Sequence, residues 1–306
     1  MNRILQTPLL VLALLAAIAS ARLPLRPQSA RDYRLKVDVN LVLVPTSVMS
    51  PAGDPVMELG RDAFEIYENG KLQPLVVFEK QTAMPLQLVL MIDTSLSTIT
   101  ALRSEQEAAA RFIRQVLRPQ DQAALYEFSG GVHRRAGFTG NFTSLEKGLQ
   151  KLKPKAGTAL YDAIVSVSDK LGEREGRRVL VIVSDGTDTT SERDFAAAMR
   201  AAQEAEVGIF SLVIRPIPGE SGRSVRGEHV LMALGDMTGG QVFFPGGAQE
   251  LDRSFRMLGE LLRTQYLLGY HPPPHSRSDD FHRIEVRILG GEYVVRHRKG
   301  YWHYPE

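Results

Sequence analysis

Apolar residues recur along this chain in two different rhythms. Leu35, Val37, Val39, Leu41 and Leu43 alternate with Lys36, Asp38 and Asn40, the period of a half-buried strand. After the turn cluster Ser50-Pro51-Ala52-Gly53, Phe64-Glu65-Ile66-Tyr67 leads into Asn69-Gly70. Asn-Gly favours a tight hairpin, because both residues tolerate positive φ. Leu75-Val76-Val77-Phe78 is the expected return strand. This opening segment shows no helical period.

From Leu86 the rhythm changes. Leu86–Ile92, Val179–Val183 and Val207–Ile214 are near-continuous apolar runs, as expected of strands buried on both faces. Ala123–Phe128 is a shorter strand, and Val132–Phe138 an expected edge strand. Between them lie helical stretches: one with Ala108, Phe112, Val116 and Leu117 on one face, another marked by Leu145, Leu149 and Leu152, and then Leu160–Leu171. Ser191, with Asp194 three residues on, is the expected cap of Phe195–Ala205. Val230–Leu234 reads as a short helix, Gln241–Phe244 as a strand and Leu251–Leu262 as a long amphipathic helix. Buried strands alternating with amphipathic helices predict an α/β, doubly wound, mostly parallel sheet.

The tail returns to period two. Tyr266–Tyr270 is one expected strand; Ile284, Val286 and Ile288 alternate with Glu285 and Arg287 in a second. Gly290-Gly291 is the expected turn to a third at Tyr293–His297. In a parallel α/β unit the first strand enters, and the last helix leaves, at the bottom of the sheet. Residues 35–82 and 266–304 therefore emerge together. Each has too few strands to be stable alone, so the two chain ends are expected to form one small β-sandwich beneath an α/β domain at 85–265.

Composition adds constraints. With 37 Lys and Arg against 35 Asp and Glu, the net charge is +2, too small to argue for nucleic acid as a partner. There is no cysteine, which removes thiol nucleophiles, disulfides and Cys-based metal sites. Arg3, the apolar run Pro8–Ala19 and the small residues Ala19-Ser20-Ala21 read as a signal peptide over residues 1–21, followed by a linker at 22–34. The run is short of the roughly 20 apolar residues that a spanning helix needs. The expectation is an exported protein, periplasmic, cell-surface or extracellular, with no transmembrane segment after signal removal. An uncleaved signal anchor is the competing reading.

The chemistry clusters after the buried strands. Asp93-Thr94-Ser95-Leu96-Ser97 follows the first, Ser184-Asp185-Gly186-Thr187-Asp188 follows the second, and Thr158 precedes a helix. In open α/β sheets ligands bind beyond the carboxyl ends of strands. Asp93, Ser95, Ser97, Thr158 and Asp185 would thus bring two carboxylates and three hydroxyls to one crevice. Hard oxygen donors suit magnesium, manganese or calcium better than zinc or copper. An ion with few carboxylate ligands keeps positive charge and seeks an outside anion. Asp188 reads either as a hydrogen-bonding residue behind the ligands or as a solvent-facing turn residue. The histidines His271, His275, His282, His297 and His303 sit mostly beside Pro, Ser, Arg or Lys, a poor setting for a second metal site.

At these residues the chain resembles the von Willebrand factor A family, whose signature is Asp-x-Ser-x-Ser, a distant Thr and a distant Asp. The resemblance covers about Pro85 to Thr264. It implies a Rossmann-like fold and a metal-ion-dependent adhesion site, with Mg2+ the foremost cofactor. The hydroxyls of Ser95 and Ser97 would bind the ion directly, while Asp93 and Asp185 would act through hydrogen bonds or bridging water. The open coordination position would take an acidic side chain from a protein partner. Val37–Val42, Phe64–Gly70 and Tyr270–Tyr301 resemble flanking segments of an exported, acidobacterial-type subgroup of such proteins.

Three function classes follow. The first is a metal-dependent binding module. The second is a structural envelope component whose ion only orders loops. The third is a metal-dependent hydrolase, disfavoured because no His lies in the three site loops and no Gly-x-Ser-x-Gly elbow, Walker loop or Rossmann fingerprint occurs.

Overall fold

The computed structural model describes residues 41–80, 83–96, 102–214, 224–273 and 281–302. The expected signal peptide, the linker, the start of the first strand and Ser97 lie outside the described residues.

The centre is a six-stranded sheet. Its strands are β5 (Leu86–Asp93), β6 (Gln122–Phe128), β7 (Val132–Thr139), β8 (Arg177–Ser184), β9 (Gly208–Val213) and β10 (Val242–Phe243), in the order β10-β9-β8-β5-β6-β7. All neighbours pair in parallel except β6 and the antiparallel edge strand β7. Every residue of β5 is buried, because helices cover both faces. Leu86, Leu88, Leu90 and Ile92 pack on one side with α1 (Leu102–Val116), α2 (Phe142–Leu149) and α6 (Ala248–Arg263). Val89 and Met91 pack on the other with α3 (Leu160–Gly172), α4 (Phe195–Glu204) and α5 (Val225–Thr238). Each such fully buried aliphatic side chain contributes about 1.5–3 kcal/mol.

Two four-stranded antiparallel sheets form the second layer system. One runs β13-β1-β11-β4, made of β1 (Val42–Met49), β4 (Val77–Glu79), β11 (Tyr266–Tyr270) and β13 (Val294–Arg296). The other runs β14-β12-β2-β3, made of β2 (Phe64–Glu68), β3 (Lys71–Gln73), β12 (Phe281–Ile288) and β14 (Gly300–Trp302). Each sheet draws strands from both sides of the α/β unit. Their apolar faces meet in one core containing Val44, Phe64, Ile66, Tyr266, Leu268, Ile284 and Val286.

The chain leaves the expected path at four places. The Asn69-Gly70 turn forms with both residues at positive φ, but its return strand is Lys71–Gln73. Val77–Glu79 instead crosses to the other sheet and pairs with β11. Gly290-Gly291 does not close a hairpin: β13 pairs with β1, while β12 lies between β14 and β2. The helix expected at Val230–Leu234 extends over Val225–Thr238, capped by the Ser224 side chain and ended by Gly239 in the left-handed conformation. Asp194, not Ser191, caps α4 through a bond from Ala197 N. Ser191 turns back to accept from Tyr161 N at the start of α3.

The sandwich meets the α/β unit at the amino ends of the parallel strands. Buried Arg177, at the foot of β8, donates to Gln265 Oε1 (2.9 Å) and to the last turn of α6 at Leu262 O. Gln265 in turn donates to Ser47 of β1. Arg298 bridges Leu43 O and Glu206. This end of the sheet is thereby closed, and the carboxyl ends are left as the presenting face. Among the described residues no helix is long and apolar enough to cross a membrane.

Candidate metal centre

Three loops at the carboxyl edge of the sheet, two of them leaving β5 and β8 and one leading from α2 to α3, are tied into a closed ring. The first begins at Asp93, which caps its own turn: Ser95 N donates to Asp93 Oδ1 at 2.8 Å. Thr94 N donates to Phe128 O, and Thr94 O accepts from Lys155 N, both at 2.9 Å. That second bond joins the first loop to the segment carrying Thr158. Gly157 there has φ +81°, and a Cβ on it would sit 2.9 Å from Gly130 Cα, so the approach of these loops requires glycine.

Thr158 is bound to the third loop on both sides of its peptide. Its N–H donates to Thr189 Oγ1 (2.9 Å), and its carbonyl accepts from Thr189 N (2.8 Å) and Thr190 N (3.1 Å). The ring closes at Ser184, whose hydroxyl donates to Asp93 Oδ2 at 2.7 Å and accepts from Gly186 N at 3.0 Å. Asp185, the next residue, accepts from Thr187 N at 2.8 Å. Gly186 has φ +77°, and a Cβ on it would collide with the carbonyl oxygen of Gly227.

Asp93, Ser95, Thr158 and Asp185 are thus gathered on one rim of the sheet. Asp93 is wholly enclosed, whereas Ser95, Thr158 and Asp185 keep 4–8% exposure. Ser95, Thr158 and Asp185 thus lie nearer the surface of this rim than Asp93 does. Asp188 Oδ1 accepts from Leu160 N (2.8 Å) and from Ser191 Oγ (2.6 Å), capping α3 just after Thr158. Glu127, buried on β6, pairs with Arg135 and with Lys155 (3.6 Å), which steadies the Thr158 loop from below.

The donors fit a hard cation. They are all oxygen, and no three His, Cys, Asp or Glu side chains converge among the described residues, so soft or imidazole-bound metals have no ligand set. Burial pushes the Asp93 carboxyl up to about 6, and the charge of Asp185 adds to the rise, against bonds from Ser184 and Ser95 that lower it. Burial thus makes a negative charge on Asp93 costly, and a nearby cation lowers that cost.

Reading the sequence missed two residues of the ring and one buried acid. Ser184 and Thr189 carry the bonds that close the ring. Their signal was only their adjacency to Asp185 and Asp188. Glu105 is the buried acid. It interrupts the apolar row Leu102, Ala108, Phe112 on α1, yet it is buried.

This architecture is a doubly wound α/β unit with the candidate site at its carboxyl edge, mounted on a β-sandwich. Residues 88–187 match the family model of the von Willebrand factor type A domain. No curated protein matches the chain. Among solved structures, proximal thread matrix protein 1 from the mussel byssus is similar at 11% identity and TM-score 0.51, over 64% of this chain and 51% of that one. The conserved hypothetical protein BatB from Bacteroides thetaiotaomicron is similar at 18% identity and TM-score 0.47, over 57% of this chain and 98% of that one. The vWF domain of a type V pili tip protein from Porphyromonas gingivalis is similar at 22% identity and TM-score 0.33, over 35% of this chain and 40% of that one.

Proposed function

We propose that the chain is an exported, metal-dependent protein-binding module of the acidobacterial-type subgroup. Asp93, Ser95, Ser97, Thr158 and Asp185 would hold one divalent cation, Mg2+ foremost, with Mn2+ or Ca2+ as the other hard-cation choices. An acidic side chain of a protein partner would complete its coordination. The observation that carries this reading is the closed ring of three loops, which gathers oxygen donors around enclosed Asp93. Preorganised donors lower the cost of ordering on binding. The module is not assigned an enzyme activity: no histidine lies in the three site loops to serve as general base.

The test has two arms. Calorimetric titration with Mg2+ and with Mn2+ should show one ion per chain, and Asp93→Ala should abolish it. Capture from the exported fraction of the native cell should yield a protein retained in Mg2+ and released by EDTA. Retention that ignores both EDTA and Asp93→Ala would sink the binding-module reading. Ion binding that raises the melting temperature, with no partner retained in either condition, would favour the structural-component reading instead.

A further inference from the structure

One buried charge beside the site is used by none of the interactions above. Glu105 lies in the first turn of α1 and is 1% exposed. It stands on the face that α1 turns to the sheet, with Leu102, Ala108 and Phe112. α1 runs down from the site edge, with Leu102 at the top and Val116 at the bottom, so Glu105 occupies the upper end of this interface. Among the described residues, neither of its carboxylate oxygens has a hydrogen-bond partner. A buried carboxylate left without donors is among the costliest features a fold can keep. Burial, and after it the charge of Asp93, push its carboxyl well above the usual carboxylate range.

We propose that Glu105 is the third anion of the cation site, compensating the charge of the bound ion from behind its ligands. This rests on the metal-binding reading given above. Glu105 is not a direct ligand, since no three such side chains converge among the described residues. It acts at one remove, as an outer residue that sets ion affinity. The field of a bound dication favours the ionised form of Glu105; with Asp93 and Asp185 alone the dication is just neutralised, and with ionised Glu105 the assembly is net negative. Such a site retains its ion without a partner, and the partner's carboxylate then confers specificity more than it holds the ion in place.

The experiment titrates Mn2+, with no partner present, into the full chain and into Glu105→Gln. Glu105→Gln should weaken Mn2+ binding roughly 10–100-fold, the range seen when outer partners of a metal site are removed. Glu105→Asp should recover part of that loss. In EDTA, Glu105→Met should melt higher than the wild type, because the unpaired carboxylate is gone. Equal Mn2+ affinity in wild type and Glu105→Gln overturns the assignment and leaves the metal site standing. No Mn2+ binding by the wild type overturns the metal reading itself. Failure of both Glu105→Gln and Glu105→Met to fold in EDTA also overturns the assignment, because the carboxylate would then be a requirement of the ion-free fold.

Discussion

His297 shows how a single buried side chain makes the fold depend on pH. Its Nδ1 donates to Arg298 O at 2.7 Å and its Nε2 accepts from Val286 N at 3.1 Å, which fixes a neutral tautomer. Burial, helped by the charge of Lys299, lowers its pKa from 6.5 to about 4. The folded state therefore binds fewer protons than the unfolded chain between these values. The stability it contributes is complete above pH 6.5 and is lost as pH falls towards 4, on the order of 3 kcal/mol in all. Urea unfolding at pH 7 and pH 4.5 should show a drop in the wild type that is clearly smaller in His297→Gln. Equal drops in the two proteins would mean that other groups carry the acid sensitivity. At this same scale the sequence was a partial guide. Oxygen donors after strands were visible in Asp93, Ser95 and Asp185. The bonds that lock them, from Ser184 and Thr189, join residues 91 and 31 positions apart, which no local pattern encodes.

Among the elements, the start of α3 links fold to site most directly. Asp188 reaches back across 28 positions to cap it at Leu160 N, and Ser191 supplies Tyr161 N. Thr158 lies two residues before this helix, so the cap also sets where the Thr158 loop ends. Asp188→Ala should cost about 1 kcal/mol, the usual loss of a helix cap. It should also speed amide exchange at Leu160 and Tyr161 while leaving α4 protected. Unchanged exchange at those two amides would show that the cap is dispensable. The expectation that Ser191 caps α4 failed for a simple reason. Ser191 and Asp194 both suit the role by residue type, and only the packing of α3 beside α4 brings Ser191 to another helix.

Across the whole molecule, the sandwich is held by a polar group inside its core. Glu68 of β2 is buried, and Oε2 accepts from Tyr270 of the opposite sheet (2.7 Å) and from Tyr301 of its own (3.1 Å), with His282 Nδ1 3.0 Å from Oε1. Tyr270 comes from the strand that follows α6 directly, so this bond also ties the exit of the α/β unit to the sandwich. Tyr270→Phe keeps the ring and removes the donor, and should lower the unfolding free energy by about 1–3 kcal/mol. An unchanged denaturation midpoint would show that Glu68 is satisfied without it.

The sequence by itself determined which stretches are buried on one face and which on both, because side-chain periodicity is a local property of the backbone. From that came the doubly wound sheet, the β-rich ends and the oxygen donors at the strand ends. Only the tertiary structure decided strand partners. Val77–Glu79 and Val294–Arg296 have strand-like residues, but they pair across the sandwich rather than with their neighbours, since a half-buried strand takes whichever edge buries its apolar side. The same holds for Glu105: a charge within a helical stretch looks like a solvated residue until the sheet is laid against it.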